Sequence, residues 1–276
     1  MLRDRVRSAA ILVPPLLIAV WLGGGWILFV VALATALGAW EAFRLLTAAG
    51  LSSMPWLGIV LAVVIALGDS VKVLPGGSGI LLAGIGVVLV GIGALTRLDP
   101  REGLAVFATT TFGAMYLGLL GFVARLGATG APIDGAAILG WLGPDRAWIV
   151  TVVLVVWAYD TAAYLVGRRI GRRPFMHHIS PSKTLEGVAG GLVAAAIVGA
   201  VLLFALGRPV LAGAVLGLIV GAAAQAGDLV ESMLKRAAGA KESGRLIPGH
   251  GGMLDRVDSF LFAAPVAYFY VVAVLR

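Results

Sequence analysis

The polar run from Ser232 to Asp258 concentrates acids, bases and glycines in a chain that otherwise avoids charge. It opens with Ser232, Lys235 and Arg236, passes through Lys241 and Glu242, and closes on Pro248, Gly249, His250, Gly251 and Gly252 followed by Asp255, Arg256 and Asp258. Carboxylates meeting at two helix ends suit an oxygen-ligand cation such as Mg2+, which takes one or two carboxylates and completes its shell with water and substrate phosphate. Glycines let backbone N–H groups approach phosphate oxygens, and Lys235, Arg236, Lys241, Arg245 and Arg256 bring the opposing charge. The combination points to a site for a phosphorylated ligand and a cation at a membrane surface. Neither the Walker nor the dinucleotide-binding glycine pattern is present, so those two phosphate cradles are unsupported.

Further groups of residues stand at the edge of that run and earlier in the chain. Asp228, Glu231 or Ser232, and Lys235 recur at helical spacing, and Asp255 and Asp258 form an i, i+3 pair where the last apolar span begins. Asp160 lies about two turns inside another apolar span beside Thr161, with Tyr164 one turn on, and an ionisable residue at that depth is a functional candidate by default. Arg168, Arg169, Arg172 and Arg173 then make a basic collar suited to lipid head groups or to nucleotide. In Ser180-Pro181-Ser182-Lys183-Thr184, Ser182 or Thr184 can cap a helix, and Lys183 just before that helix start can hold phosphate. His177 and His178 are adjacent and point apart in regular structure, which makes a poor metal site.

The elements that must position these groups are membrane helices. The 276 residues are 60% hydrophobic and 13% charged, with a mean hydropathy of +1.02, which leaves too little polar surface for a water-soluble domain. We expect an all-α fold, a polytopic integral membrane helical bundle of about nine transmembrane helices. The expected spans are 9–22, 26–43, 54–67, 79–95, 103–124, 147–167, 185–206, 209–227 and 257–275. The N-terminus, with Arg3, Arg5 and Arg7, reads as the start of the first helix rather than as a cleaved leader. Residues 1–100 read as scaffold or as contact between copies, and a homodimer is compatible with that. Residues 101–276 read as the catalytic domain, with loops 168–184 and 228–256.

With nine spans and the N-terminus inside, sixteen of the 21 Lys and Arg residues face inward, the asymmetry of the positive-inside rule. Most of that bias comes from loops 168–184 and 228–256, which places both in the cytoplasm. The net charge of +7 then means attraction to anionic lipid, and no basic-aromatic pattern argues for nucleic acid. Cysteine is absent, which excludes a disulfide framework, a thiolate nucleophile and a Cys-based zinc site. One helix face carries Gly213, Gly217 and Gly221 every four residues and runs on to Gln225 and Asp228, so the face expected to pack against protein ends in a carboxylate.

Taken together, these residues resemble the phosphatidate cytidylyltransferase (CDP-diacylglycerol synthase) family. That family's signature is Ser-x-aliphatic-Lys-Arg, four residues, Lys-Asp, and then Pro/Gly-x-His-Gly-Gly-x-x-Asp-Arg-x-Asp. The chain matches it from Ser232 to Asp258, departing at Glu242, where the family typically has Asp. Asp160-Thr161-x-Ala163-Tyr164 and Ser180-Pro181-x-Lys183-Thr184-x-Glu186-Gly187 resemble further family segments, with Leu185 where an aromatic residue is common.

The resemblance implies transfer of CMP from CTP to phosphatidate at the bacterial inner membrane. It also implies that Asp228, Asp255 and Asp258 hold the catalytic metal, Mg2+ with K+ as a candidate companion. Asp160, Ser180, Lys183, Thr184, Lys235, Arg236, Lys241, His250, Gly251, Gly252 and Arg256 would then bind substrate. Two other readings stand beside it. A CTP-dependent lipid-alcohol kinase would need a base, for which His250 or Asp160 is available. An ion-coupled transporter would line a path with Asp160, Gln225 and Asp228, yet the first half of the chain lacks a partner set for them.

Overall fold

The computed structural model describes residues 14–68, 70, 78–247, 249 and 251–276. Arg3, Arg5, Arg7, Lys72, Pro248 and His250 lie outside these described residues, and with them the expected start of the first span. The described chain is helical, with two isolated bridge pairs and no strand. After a helical stretch at 14–22 come α1 (Gly25–Ala48), α2 (Pro55–Leu67), α3 (Ser78–Ala94) and α4 (Pro100–Gly118). A 3-10 turn and the short α5 (Phe122–Leu126) extend α4, and α6 (Pro144–Ile170), α7 (Leu185–Ala205), α8 (Val210–Ala237) and α9 (Leu254–Tyr270) follow. A π-helical turn, Val271–Leu275, prolongs α9.

Six of these segments are long and apolar enough to cross a membrane: Gly25–Ala48, Pro100–Leu126, Pro144–Ile170, Leu185–Ala205, Val210–Ala237 and Leu254–Leu275. Pro55–Leu67 and Ser78–Ala94 are apolar but shorter. The molecule is thus an all-α, membrane-integral protein. Large apolar side chains such as Trp56, Ile80, Leu211 and Phe269 remain exposed on the helices, as a lipid-facing surface requires.

By its internal contacts the chain divides into two compact units, residues 1–124 with 233–257 and residues 125–232 with 258–276. In the first unit α1 to α4 pack on one another around Phe43, Leu61, Ala62 and Leu117, all nearly inaccessible to solvent. Gly58 and Gly113 both lie against the Phe43 ring, where any added Cβ would strike it. Small residues at such contacts let helix backbones approach, which is how membrane helices gain packing energy without a hydrophobic drive between them.

In the second unit α6 packs along α7, and α7 meets α8 through the glycine stripe read from the sequence. Gly213 lies on Gly199 and Ala200, Gly217 on Ala195 and Ala196, and Gly221 on Tyr159 and Ala195. The stripe does lead to polar residues. Gln225, one turn on, is buried and accepts a 2.8 Å hydrogen bond from the Tyr159 hydroxyl on α6. Arg208 donates to the Leu275 carbonyl, and the Tyr270 hydroxyl donates to the Ala212 carbonyl at 3.0 Å, tying the end of the chain to the start of α8.

Candidate active site

Within the second unit, α8 and α9 bring Asp228, Glu231 and Asp258 together, each offering an oxygen within 4.8 Å of the others. Asp228 and Glu231 share a helix face at i, i+3, and the backbone carbonyl of Asp258 packs against Gly227, where only a glycine leaves room for the α9 backbone. Three carboxylates this close repel one another unless positive charge or shared protons offset them. Part of the offset is visible: Lys183 Nζ lies 2.5 Å from Asp228 Oδ2. Ser232 Oγ, one turn further along α8, donates to Asp228 Oδ1 at 3.3 Å. The donor set is all oxygen and strongly anionic, so these residues fit an oxygen-ligand cation.

Lys183 reaches Asp228 because the loop before α7 is tightly folded. Phe175 N donates to Lys183 O at 2.8 Å and Leu185 N to Arg173 O at 2.9 Å, around a bridge between Pro174 and Thr184. Glu186 Oε2 accepts from the amides of Arg172 and Arg173 at 3.1 and 3.2 Å, which closes the loop onto the first turn of α7. Of the two expected caps, Thr184 serves: its Oγ1 accepts from Gly187 N at 3.2 Å. Ser180 turns the loop, its carbonyl accepting from Lys183 N at 3.2 Å. Arg168, Arg169, Arg172 and Arg173 are exposed, and Arg168 donates to the Tyr164 hydroxyl at 3.1 Å. Asp160 is exposed on α6; its charge and that of Asp228 both bear on the Tyr159 hydroxyl.

Within the first unit, the glycine-rich loop is organised around Asp255. Lys235 Nζ donates to Asp255 Oδ1 at 2.7 Å, and Oδ2 accepts from Ser243 N, Ser243 Oγ and Gly252 N at 2.9, 2.8 and 2.8 Å. Gly251 has a φ of 78°, a left-handed conformation open to glycine, and a Cβ there would meet Asp255 Oδ2 at 2.6 Å. Ile247 N donates to Gly251 O at 2.9 Å and closes the turn. Lys241 and Arg256 are exposed, and exposed Arg236 donates to Ala240 O at 3.1 Å.

Two participants escaped the sequence reading. Glu231 appears there only as an alternative to Ser232 on a helix face, whereas it is fully buried in the acidic group. Residues 1–100 read as scaffold or as contact between copies, and no residue there was singled out; within them Glu41 of α1 is fully buried and takes hydrogen bonds from Ser243 Oγ and Leu254 N. The available signal was a carboxylate within an apolar helix, which in a membrane protein is a functional candidate by default.

A polytopic membrane protein with paired acids, lysines and a glycine-rich loop at its helix ends belongs to the class that handles a phosphorylated ligand at the lipid interface. The family can now be named: the sequence profile of the Cytidylyltransferase family matches residues 3–274, and the chain belongs to that family of nucleotidyltransferase enzymes. It is 33% identical to the phosphatidate cytidylyltransferase of Synechocystis sp., over 99% of this chain and 97% of the relative. It is 35% identical to phosphatidate cytidylyltransferase 5, chloroplastic, of Arabidopsis thaliana, over 91% of this chain and 67% of the relative. With the phosphatidate cytidylyltransferase of Bacillus subtilis it shares 44% identity over 44% of this chain and 46% of the relative.

Proposed function

We propose that the protein transfers CMP from CTP to phosphatidate, giving CDP-diacylglycerol and pyrophosphate. Family membership and the names of the relatives support the reaction. The observation that carries the site is the meeting of Asp228, Glu231 and Asp258 with Lys183 on Asp228. A phosphate oxygen of phosphatidate attacks the α-phosphorus of CTP; the new P–O bond forms as the bond to the β-phosphate oxygen breaks, and pyrophosphate leaves. The attacking oxygen is already anionic near neutral pH, so no protein nucleophile and no strong base is required. What the chain must provide is positioning and neutralisation of charge.

Asp228, Asp255 and Asp258 are the catalytic carboxylates of this reading, and Glu231 joins Asp228 and Asp258 in holding Mg2+, with K+ as a second cation. Bound there, Mg2+ supplies charge neutralisation on the phosphate oxygens. Lys183 and Lys235 hold the carboxylates in register and add positive charge beside the phosphates. Ser180, Thr184, Arg236, Lys241 and Arg256 meet phosphate or lipid head group, Gly251 and Gly252 present backbone amides, and His250 and Asp160 complete the substrate set. The protein sits in a bacterial cytoplasmic membrane, with its N-terminus and the loops 168–184 and 228–256 on the cytoplasmic side. Phosphatidate then arrives through the lipid and CTP from the cytoplasm.

The test is incubation of the purified, detergent-solubilised protein with phosphatidate, CTP and Mg2+. Release of pyrophosphate with formation of CDP-diacylglycerol is the expected result. Phosphorylation of a polyprenol with release of CDP, and no product from phosphatidate, would replace this reading with the lipid kinase.

A further inference from the structure

We infer that Glu41 is a positioning residue for the Ser243–Leu254 loop, and that α1 thereby forms part of the working site; this rests on the transfer reaction proposed above. Glu41 lies about two turns before the C-terminal end of a 24-residue apolar helix and has no accessible surface. Its Oε2 accepts from Ser243 Oγ at 3.1 Å and from Leu254 N at 2.8 Å. The second bond falls on the first residue of α9, whose amide has no partner within its own helix, so Glu41 supplies from another helix the acceptor that a cap would otherwise provide. Oε1 has no hydrogen-bond donor among the described residues and lies against Gly244, while both oxygens lie against Gly252. A Cβ at either glycine would collide with this carboxyl group.

The link to the chemistry runs through Ser243. The same Oγ that faces Glu41 lies 2.8 Å from Asp255 Oδ2, and Asp255 in turn holds Gly252 N and Lys235. A hydroxyl has one proton to donate, so Glu41 and Asp255 share it, and the positions of the two carboxyl groups are coupled. Truncating Glu41 leaves Leu254 N without its acceptor in a buried place, where a missing partner is costly, and leaves the Ser243 hydroxyl to Asp255 alone. The loop then loses the geometry that aims Gly252, Lys235 and Asp255. Glu41 touches no substrate in this scheme; it acts on the reaction through the loop.

The experiment compares wild type, Glu41→Gln, Glu41→Ala, Ser243→Ala and the Glu41→Ala/Ser243→Ala double variant. Turnover at saturating CTP and phosphatidate is measured, together with amide hydrogen exchange across 241–256. Glu41→Ala should lower kcat at least about tenfold and raise loop exchange while α2, α3 and α4 stay protected. Glu41→Gln, which keeps one acceptor oxygen and the shape, should recover most of both. The double variant should lose no more kcat than the worse single variant, because the two residues act as a unit.

Wild-type loop exchange in Glu41→Ala, or multiplicative losses in the double variant, would overturn the inference. Should Glu41→Ala fail to insert, Glu41→Gln decides: unchanged kcat and exchange there, with Ser243→Ala impaired, also overturn it. The exchange measurement needs no substrate, so a wild type inactive on phosphatidate would count against the proposed reaction and leave the positioning test standing.

Discussion

At the scale of single residues, charge balance is the controlling quantity. Asp228, Glu231 and Asp258 crowd their oxygens within 4.8 Å, and Lys183 Nζ lies 2.5 Å from Asp228. Removing a preorganised positive charge at a site of developing negative charge costs about 100-fold or more in rate, and Asp228 would act there through the cation it is proposed to hold. Lys183→Met and Asp228→Asn should each reduce pyrophosphate release by at least that factor while membrane insertion and thermal unfolding stay near wild type. Full activity in both would remove the acidic group from the reaction. Glu242, the one departure from the family signature, is exposed. Glu242→Asp should therefore change kcat/KM by no more than a factor of about two, the scale of a surface substitution. The residue types of this site were legible because acids stand out in an apolar chain. Glu41 and Glu231 were not assigned a role, since their importance depends on what folds against them and not on spacing.

At the scale of elements, the helices are placed by glycine contacts and by one well-made loop. Gly217 sits on the backbone of Ala195 and Ala196, with an added Cβ 2.6 Å from a carbonyl carbon. Backbone cannot move aside as a side chain can, so Gly217→Val should cost about 1–3 kcal/mol, measured by thermal unfolding in detergent. Thr184 caps α7 at the point where the preceding loop delivers Lys183. Thr184→Ala should lower stability by about 1 kcal/mol, and Thr184→Ser should restore it, because either hydroxyl can accept from Gly187 N. The glycine period of four foretold the packing face of α8. The Lys183 pairing could not be foretold, because it depends on a fourteen-residue loop that folds back through Phe175 and Leu185.

At the scale of the whole molecule, the membrane is a fact of composition, and the orientation proposed above rests on the uneven distribution of Lys and Arg. Six described segments have the length and apolarity to cross, and two more helices are apolar but short. Because the chain has no cysteine, orientation is open to direct measurement with single introduced cysteines. His178→Cys and Lys241→Cys should react with an impermeant thiol reagent from the cytoplasmic face, and Arg208→Cys from the opposite face. Labelling of all three from one face would refute the topology. Chelation of divalent cations should abolish CMP transfer in the same preparations, with recovery on adding Mg2+; transfer that persists in excess chelator would refute the metal assignment.

Composition, helical periodicity and the Ser232–Asp258 pattern by themselves determined that this is an all-α membrane protein with an acidic, basic and glycine-rich segment, because hydrophobic length and local spacing are properties of the chain alone. Tertiary structure decided which acids share a space. It grouped Glu231 with Asp228 and Asp258, gave Asp255 to Lys235, Ser243 and Gly252, and drew Glu41 across more than two hundred residues to the start of α9. Such contacts depend on which helix faces meet and how closely their backbones approach, quantities that no one-dimensional spacing encodes.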